Sequence, residues 1–250
     1  MMDGKNIKLD DKALHRDGEP GGLIFAVSAP SGTGKTTLCN MLLQELKDIK
    51  LSISYTTRTK RQGEEDGISY NFINDSEFDR MIKDDEFIEW ANVFGKRYGT
   101  AYKSVFNPNS LSDVLLEIDV QGVGKLLKIY GGAAKLNKLK GSGGAESAGA
   151  VSGNGNIENK IKRLVSIFVT PPSYDELSER LKKRGGMDEA ELNKRLNTAY
   201  EEIKKSVFYD YIVTNDDLNG AYLKLKSIVI AERCKNLSLI MNNNNNLEEY

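Results

Sequence analysis

Apolar residues in this chain fall into short unbroken runs separated by longer amphipathic stretches. The runs 23–28, 51–55, 114–119, 164–170 and 210–213 have strand length, and most are apolar on both faces, so both faces need cover. The stretches 36–47, 121–130, 174–183 and 218–231 read as helices. Their alternation predicts an α/β fold: a doubly wound parallel sheet flanked by helices. Between Tyr55 and Asn107 the rhythm breaks into short polar and aromatic pieces with many charges, which predicts a small inserted subdomain.

Three segments carry no such pattern. Residues 1–20 mix charges with Gly and Pro and read as a flexible leader to a domain spanning 21–236. From Gly131 to Asn156 there is no aromatic residue and there are eight of the 23 glycines, so a low-complexity insertion is expected over about 131–162. The tail 237–250 holds five consecutive asparagines and is expected to be disordered. No repeat of 20 to 50 residues is visible.

Composition narrows the function. Among 250 residues, 35 basic and 36 acidic side chains leave a formal charge of −1, which excludes the basic balance of a dedicated duplex-binding domain. No nucleic-acid partner is expected, and anion binding must be local. Hydrophobic residues at 39% and charged ones at 28% fit a soluble globular protein. No stretch approaches the ~18 apolar residues of a spanning helix and no secretory leader is evident, so a cytoplasmic protein without membrane contact is expected. The single histidine, His15, lies in the charged N-terminal stretch, which rules out a Ser-His-Asp or Cys-His catalytic set and a His-rich metal site. Cys39 and Cys234 are far apart and read as free thiols, both packed as small buried hydrophobes.

Candidate chemistry begins at LIFAVSAPSGTGKTTL, a β-run, a turn of small residues and a helix starting near Lys35. This is the context of a P-loop, in which backbone N–H groups face a polyphosphate and the helix adds its partial positive end. Lys35 would reach the β- and γ-phosphates and Thr36 would ligate Mg²⁺. Ala29 stands where the usual pattern begins with glycine. After the second strand, Arg58 and Arg61 lie three apart beside several hydroxyls. Guanidinium groups suit bidentate phosphate binding, and Tyr70 and Tyr98 could donate to the same group. Alone, such a segment is more often a solvated charged face; beside a P-loop it points to a second phosphorylated substrate.

The motifs SAPSGTGKTTL, TTRTKRQGEEDGISYNF, EFIEWANVFGKRYGT, LLEIDVQG, PPSYDELSERLKKRG and VTNDDL, in this order, closely resemble the guanylate kinase family over about 23–233, interrupted by the insertion. The resemblance implies a P-loop NTPase-type fold with three parts: a core, a GMP-binding region at about 54–107 and a helical LID at about 173–205. It implies transfer of the ATP γ-phosphoryl to GMP, with ATP and GMP as small-molecule partners and no obligatory protein partner. By motif position, Ser31, Gly32, Thr33, Gly34, Lys35, Thr36 and Thr37 would bind ATP, and Asn215 would lie beside the adenine. Arg58, Arg61, Tyr70 and Tyr98 would clamp the GMP phosphate, and Ser54, Glu89 and Thr100 would read guanine. Glu117 and Asp119 match the family's acidic pair facing the nucleotides and hydrated metal, although Glu117 stands where many members have aspartate. Arg180, Arg184 and Arg195 match LID arginines, with Arg184 and Arg195 joining Lys35 and Arg58 as catalytic candidates. Gly185 and Gly186 would ease LID motion or simply cap a helix. The alternative within the family is an inactive domain that binds phosphorylated peptides; intact GTGKTT and the absence of neighbouring interaction modules favour the enzyme. A related P-loop kinase with another acceptor is disfavoured by the guanine-reading set.

Overall fold

The computed structural model describes residues 22–106, 112–130 and 163–235. The expected leader, insertion and tail lie outside the described residues. Strands β1 (Ile24–Ser28), β2 (Ile49–Ser52), β7 (Asp113–Glu117), β8 (Leu164–Thr170) and β9 (Tyr211–Thr214) form one sheet in the order β2-β7-β1-β8-β9. All four pairings are parallel, as the unbroken apolar runs predict.

Every residue of β1 is buried, and its side chains alternate between two cores. Phe25 and Val27 join Leu38 and Leu42 of helix α1 (Lys35–Glu45) and Leu225 and Val229 of α7 (Leu218–Arg233). Ile24 and Ala26 face Val123, Leu126 and Leu127 of α4 (Val120–Tyr130). A central parallel strand is therefore apolar at consecutive positions, with no solvent side to alternate toward.

A second sheet, order β4-β3-β6-β5, is built from β3 (Tyr55–Thr56), β4 (Asn71–Phe72), β5 (Phe87–Val93) and β6 (Lys96–Ala101). Helix α2 (Asp75–Lys83) covers it through Phe78 and Met81, which pack with Phe87 and Ala101. A four-residue helix, α3 (Tyr102–Val105), leads back toward the central sheet. The apolar run 51–55, expected as one strand, is divided between the sheets. Leu51 pairs with Leu115 in the central sheet, whereas Tyr55 pairs with Gly99 in the second. The chain changes sheets at Ile53 and Ser54, and apolarity alone does not mark that crossing.

Helices α5 (Tyr174–Arg184) and α6 (Glu189–Lys204) share a small core of Leu177, Leu181, Leu196 and Ala199. Ser173 caps α5 by accepting from Glu176 N–H, and Asp188 caps α6 by accepting from Glu191 N–H. Gly185, at φ 68°, ends α5, so this glycine does serve as a cap. Cys39 is buried as expected, but Cys234 is exposed. It follows the last turn of α7, off the buried stripe of Ala221, Leu225, Val229 and Glu232. Among the described residues no helix is long and apolar enough to cross a membrane.

In the second sheet, Gly99 has no room for a side chain, since a Cβ there would stand 2.7 Å from Phe87 Cε1. Gly99→Ala is expected to lower stability by ~1–3 kcal/mol through overpacking. Urea unfolding would measure it, and Phe87→Leu in the same chain should recover part of the loss. An unchanged midpoint would show that the ring yields freely.

Candidate active site

The loop from β1 to α1 is shaped by Gly32 and Gly34, at φ 91° and 88°, a region that side chains rarely enter. Thr33 holds the turn by donating its Oγ1 proton to Pro30 O at 2.8 Å. Ala29 is not among the positive-φ residues, which explains why this first loop position does without glycine. Gly34 is the N-cap of α1 and has no side chain to cap it, so the first-turn N–H groups open onto the loop.

At the end of β7, Lys35 Nζ donates to Ile118 O at 2.9 Å and lies 4.0 Å from Glu117 Oε1. Thr36 Oγ1 donates to the same Glu117 oxygen at 2.5 Å. Glu117 therefore joins the phosphate-loop residues, whereas Asp119 caps α4 by accepting from Gly122 N–H at 2.8 Å. Ser31 is half-buried, Thr36 and Thr37 are exposed at the start of α1, and Asn215 is buried beneath them. Asn215 Nδ2 donates to Thr33 O at 2.6 Å, so it holds the loop. From above, Leu181 and Leu177 approach Gly32.

On the other side of the cleft, Arg58 Nε donates to Tyr98 Oη at 3.2 Å, and its guanidinium lies 5.3 Å from the Tyr70 ring centroid. Burial, and then Glu117, push the Tyr70 hydroxyl up to about 12. Arg58 also forms a fork on Glu64, with Nη1 and Nη2 at 2.9 and 2.7 Å from its two oxygens. Glu64 Oε2 accepts from Arg61 N–H at 2.8 Å, and its hydrogen bonds with Arg58 hold its carboxyl below the usual range. The Arg61 residue is exposed. Glu64, which sequence reading missed, thus partners both Arg58 and Arg61; its place three residues after Arg61 was the available signal.

Glu89 is 5% exposed and faces Thr100 across the β5–β6 pair. Thr100 Oγ1 donates to Glu89 Oε1 at 2.5 Å. Burial, and to a lesser degree the charge of Asp119, raise the Glu89 carboxyl to about 7 against the opposing Thr100 hydrogen bond. Ser54 is buried one residue before Tyr55, whose partner is Gly99, so the antiparallel register puts Ser54 beside Thr100. Gly122 makes room for this site, since a Cβ there would stand 2.7 Å from Glu89 Oε2. Asp119 is also raised, mainly by burial.

Above the cleft, Arg180 Nε donates to Glu176 and its Nη2 donates to Asn215 O at 3.2 Å, which draws it against the phosphate-loop side. Arg195 donates from Nε and Nη2 to Glu191 Oε1, and its guanidinium lies 5.3 Å from the ring centroid of Phe94, at the tip of the β5–β6 hairpin. The Arg184 side chain lies outside the described residues. Glu202 on α6, also missed in sequence reading, is raised to about 7 by burial first and by Asp119 next. The charges of Lys35 and Lys205 oppose that rise.

The guanylate kinase family model matches residues 23–133 and 151–232. A guanylate kinase of Caldanaerobacter subterraneus subsp. tengcongensis is 41% identical over 215 residues, covering 86% of this chain and 89% of that protein. One of Geobacter sulfurreducens is 37% identical, covering 86% and 91%. Among solved structures, the guanylate kinase from Anaplasma phagocytophilum superposes with a TM-score of 0.61 at 30% identity, covering 87% of this chain and 89% of that one. The phosphate loop, the arginine clamp and the buried carboxylate therefore occur in a chain that belongs to the guanylate kinase family.

Proposed function

We propose that the cleft performs the guanylate kinase reaction, transfer of the ATP γ-phosphoryl to the GMP phosphate, with three sets of residues. The donor set is Ser31 to Thr37, whose backbone N–H groups and Lys35 hold the ATP phosphates. Asn215 acts on ATP indirectly, by fixing the Thr33 carbonyl. Thr36 and Glu117 present oxygens 2.5 Å apart, a hard-oxygen pair that suits Mg²⁺, which retains waters and phosphates as its other ligands. Bound there with ATP, Mg²⁺ would neutralise charge on the phosphoryl oxygens.

The acceptor set divides in two. Arg58, Arg61, Tyr70 and Tyr98 hold the GMP phosphate, with Glu64 behind Arg58. Ser54, Glu89 and Thr100 read the base, with Asp119 beside them. The observation that carries this reading is Glu89: a carboxylate 5% exposed and bonded by a hydroxyl is costly to keep ionised in a core, and adjacent donors relieve that cost. Guanine offers two, N1–H and the N2 amino group, whereas adenine N1 turns a lone pair toward it. The covering set is Arg180, Arg184 and Arg195 on the LID helices.

A GMP phosphate oxygen attacks the γ-phosphorus in line, and ADP leaves. The protein supplies position and positive charge, with no covalent intermediate. Closure of α5 and α6 over the cleft would exclude water, the competing acceptor. An inactive phosphopeptide-binding domain has no use for the phosphate loop; intact Lys35 and Thr36 favour catalysis. A coupled assay with ATP and each of GMP, AMP, UMP and CMP tests the whole reading: GMP should be strongly preferred.

Lys35→Met should lower kcat by ~100–1000-fold, the scale for removing one preorganised charge from a transition state, with an unchanged melting temperature. Near-normal turnover would sink the phosphate-loop assignment. Arg61→Ala and Arg58→Ala should each raise KM for GMP by ~10–100-fold, from about 1.5–3 kcal/mol per charge-assisted contact, and leave KM for ATP nearly unchanged. An effect confined to ATP would mean that the two sites are exchanged.

Because GMP binds the ionised form of Glu89, whose carboxyl is raised to about 7, KM for GMP should rise as pH falls below that value and level off above it. Glu89→Gln should remove this component from the pH profile, and lower kcat/KM for GMP by at least ~100-fold with a smaller change for AMP. The folded state holds the Glu89 proton to higher pH than the unfolded chain does, so stability falls as pH rises from the usual 4.5 toward 7, and Gln escapes that loss. Melting curves at pH 8 should therefore favour the variant. An unchanged GMP-to-AMP ratio would remove Glu89 from the base site.

A further inference from the structure

The hairpin joining β5 to β6 turns through Phe94 and Gly95, both left-handed at φ 51° and 77°. Val93 and Lys96 pair directly across it. Two consecutive positive-φ residues form the type I′ pattern, in which asparagine then glycine is the favoured pair. Gly95 meets that demand. Phe94 does not, because a bulky side chain at positive φ is strained. Nor does the ring fill a core: Phe94 is 46% exposed.

What the ring meets is Arg195 of α6, with the guanidinium carbon 5.3 Å from its centroid. Phe94 belongs to the acceptor-side sheet, and Arg195 to the helical pair above the phosphate loop, so this contact spans the cleft. The hairpin is itself anchored, since Gln121 Nε2 donates to Asn92 O at 3.0 Å and Lys125 donates to Trp90 O, both from α4. Glu191 accepts from Nε and Nη2 of Arg195, while the ring lies against the guanidinium. Among the described residues Nη1 has no hydrogen-bond partner, so its N–H groups can meet a phosphoryl oxygen.

We propose that Phe94 is a positioning residue for phosphoryl transfer: its ring is the platform that holds Arg195 across the cleft, so that the acceptor hairpin and the LID helices close in register. The inference rests on the proposed role of Arg195 at the transferred phosphoryl group. A locally unfavourable residue kept at a turn is explained when it serves another site, and a cation over an aromatic face is attracted by the ring quadrupole. The platform orients Arg195 without touching either nucleotide, so its loss belongs in kcat.

Phe94→Asn removes the ring while suiting the turn, and Phe94→Tyr keeps the aromatic face. In an ATP–GMP assay the Asn variant should lose about fivefold in kcat, with both KM values within about twofold of wild type and a melting temperature equal or higher. The Tyr variant should keep wild-type turnover. In an Arg195→Ala background, Phe94→Asn should have no further effect, since the ring acts through Arg195. Wild-type kcat in the Asn variant, or losses that multiply in the double variant, would overturn the platform while leaving the role of Arg195 intact. Wild-type kcat in Arg195→Ala alone would overturn that role and the platform with it. A lowered melting temperature in both Phe94 variants would make the ring structural and also overturn the proposal.

Discussion

Backbone N–H groups grip a polyphosphate only where the chain turns them inward, and that bend is the constraint around which this molecule is arranged. Gly32 and Gly34 make it, at φ values closed to most residues. Because β1 is the middle strand, the loop that follows it emerges between β7 and β8, where the carboxyl ends of parallel strands open a crevice. β7 delivers Glu117 to Lys35 and Thr36, the segment after β9 delivers Asn215 beneath Thr33, and α5 lays Leu177 and Leu181 over Gly32. A Cβ at Gly34 would stand 2.6 Å from Asn215 Nδ2, so the bend and its lock are fitted to each other.

A chain with a net charge of −1 must still hold two anionic nucleotides. The cations proposed for that task already have carboxylate partners: Lys35 with Glu117, Arg58 with Glu64, Arg180 with Glu176 and Arg195 with Glu191. Pairing restrains long side chains before a ligand arrives, so less freedom is lost on binding. It also keeps the cleft free of a large unbalanced field. Burial raises three further carboxyls, Glu89 and Asp119 near the second sheet and Glu202 on α6, so these groups respond to pH where the paired ones do not.

The central sheet is legible in the sequence because a doubly covered strand has one signature, an unbroken apolar run, and four of the five runs each correspond to one strand. The run 51–55, LSISY, misleads because its alternation of apolar residues and serines continues unchanged through Ile53 and Ser54, where the chain passes from one sheet to the other. The phosphate loop is legible for a different reason: its chemistry lies in the backbone, and the backbone's needs show as glycines at fixed spacing. Side-chain partnerships are harder to read. Glu117 and Asp119 match the family's acidic pair as one motif, yet the two face different neighbours, Thr36 and Gly122. Glu64 looked like one acid in a charged segment, and Cys234 like a core residue, because neither a fork nor the end of a buried stripe leaves a mark in composition.

The hydrogen bond from Asn215 to the Thr33 carbonyl joins residues 182 apart in the chain. The N-terminal strand and helix that carry the phosphate loop are made early, but the amide that fixes their bend is among the last ordered parts to be synthesised. During translation the growing chain holds the glycines and Lys35 long before it holds the strap that shapes them, and contacts of such high sequence separation form late and slowly. The site is finished when β9 docks, so a protein truncated before that strand would retain the recognisable loop sequence without its preorganised form.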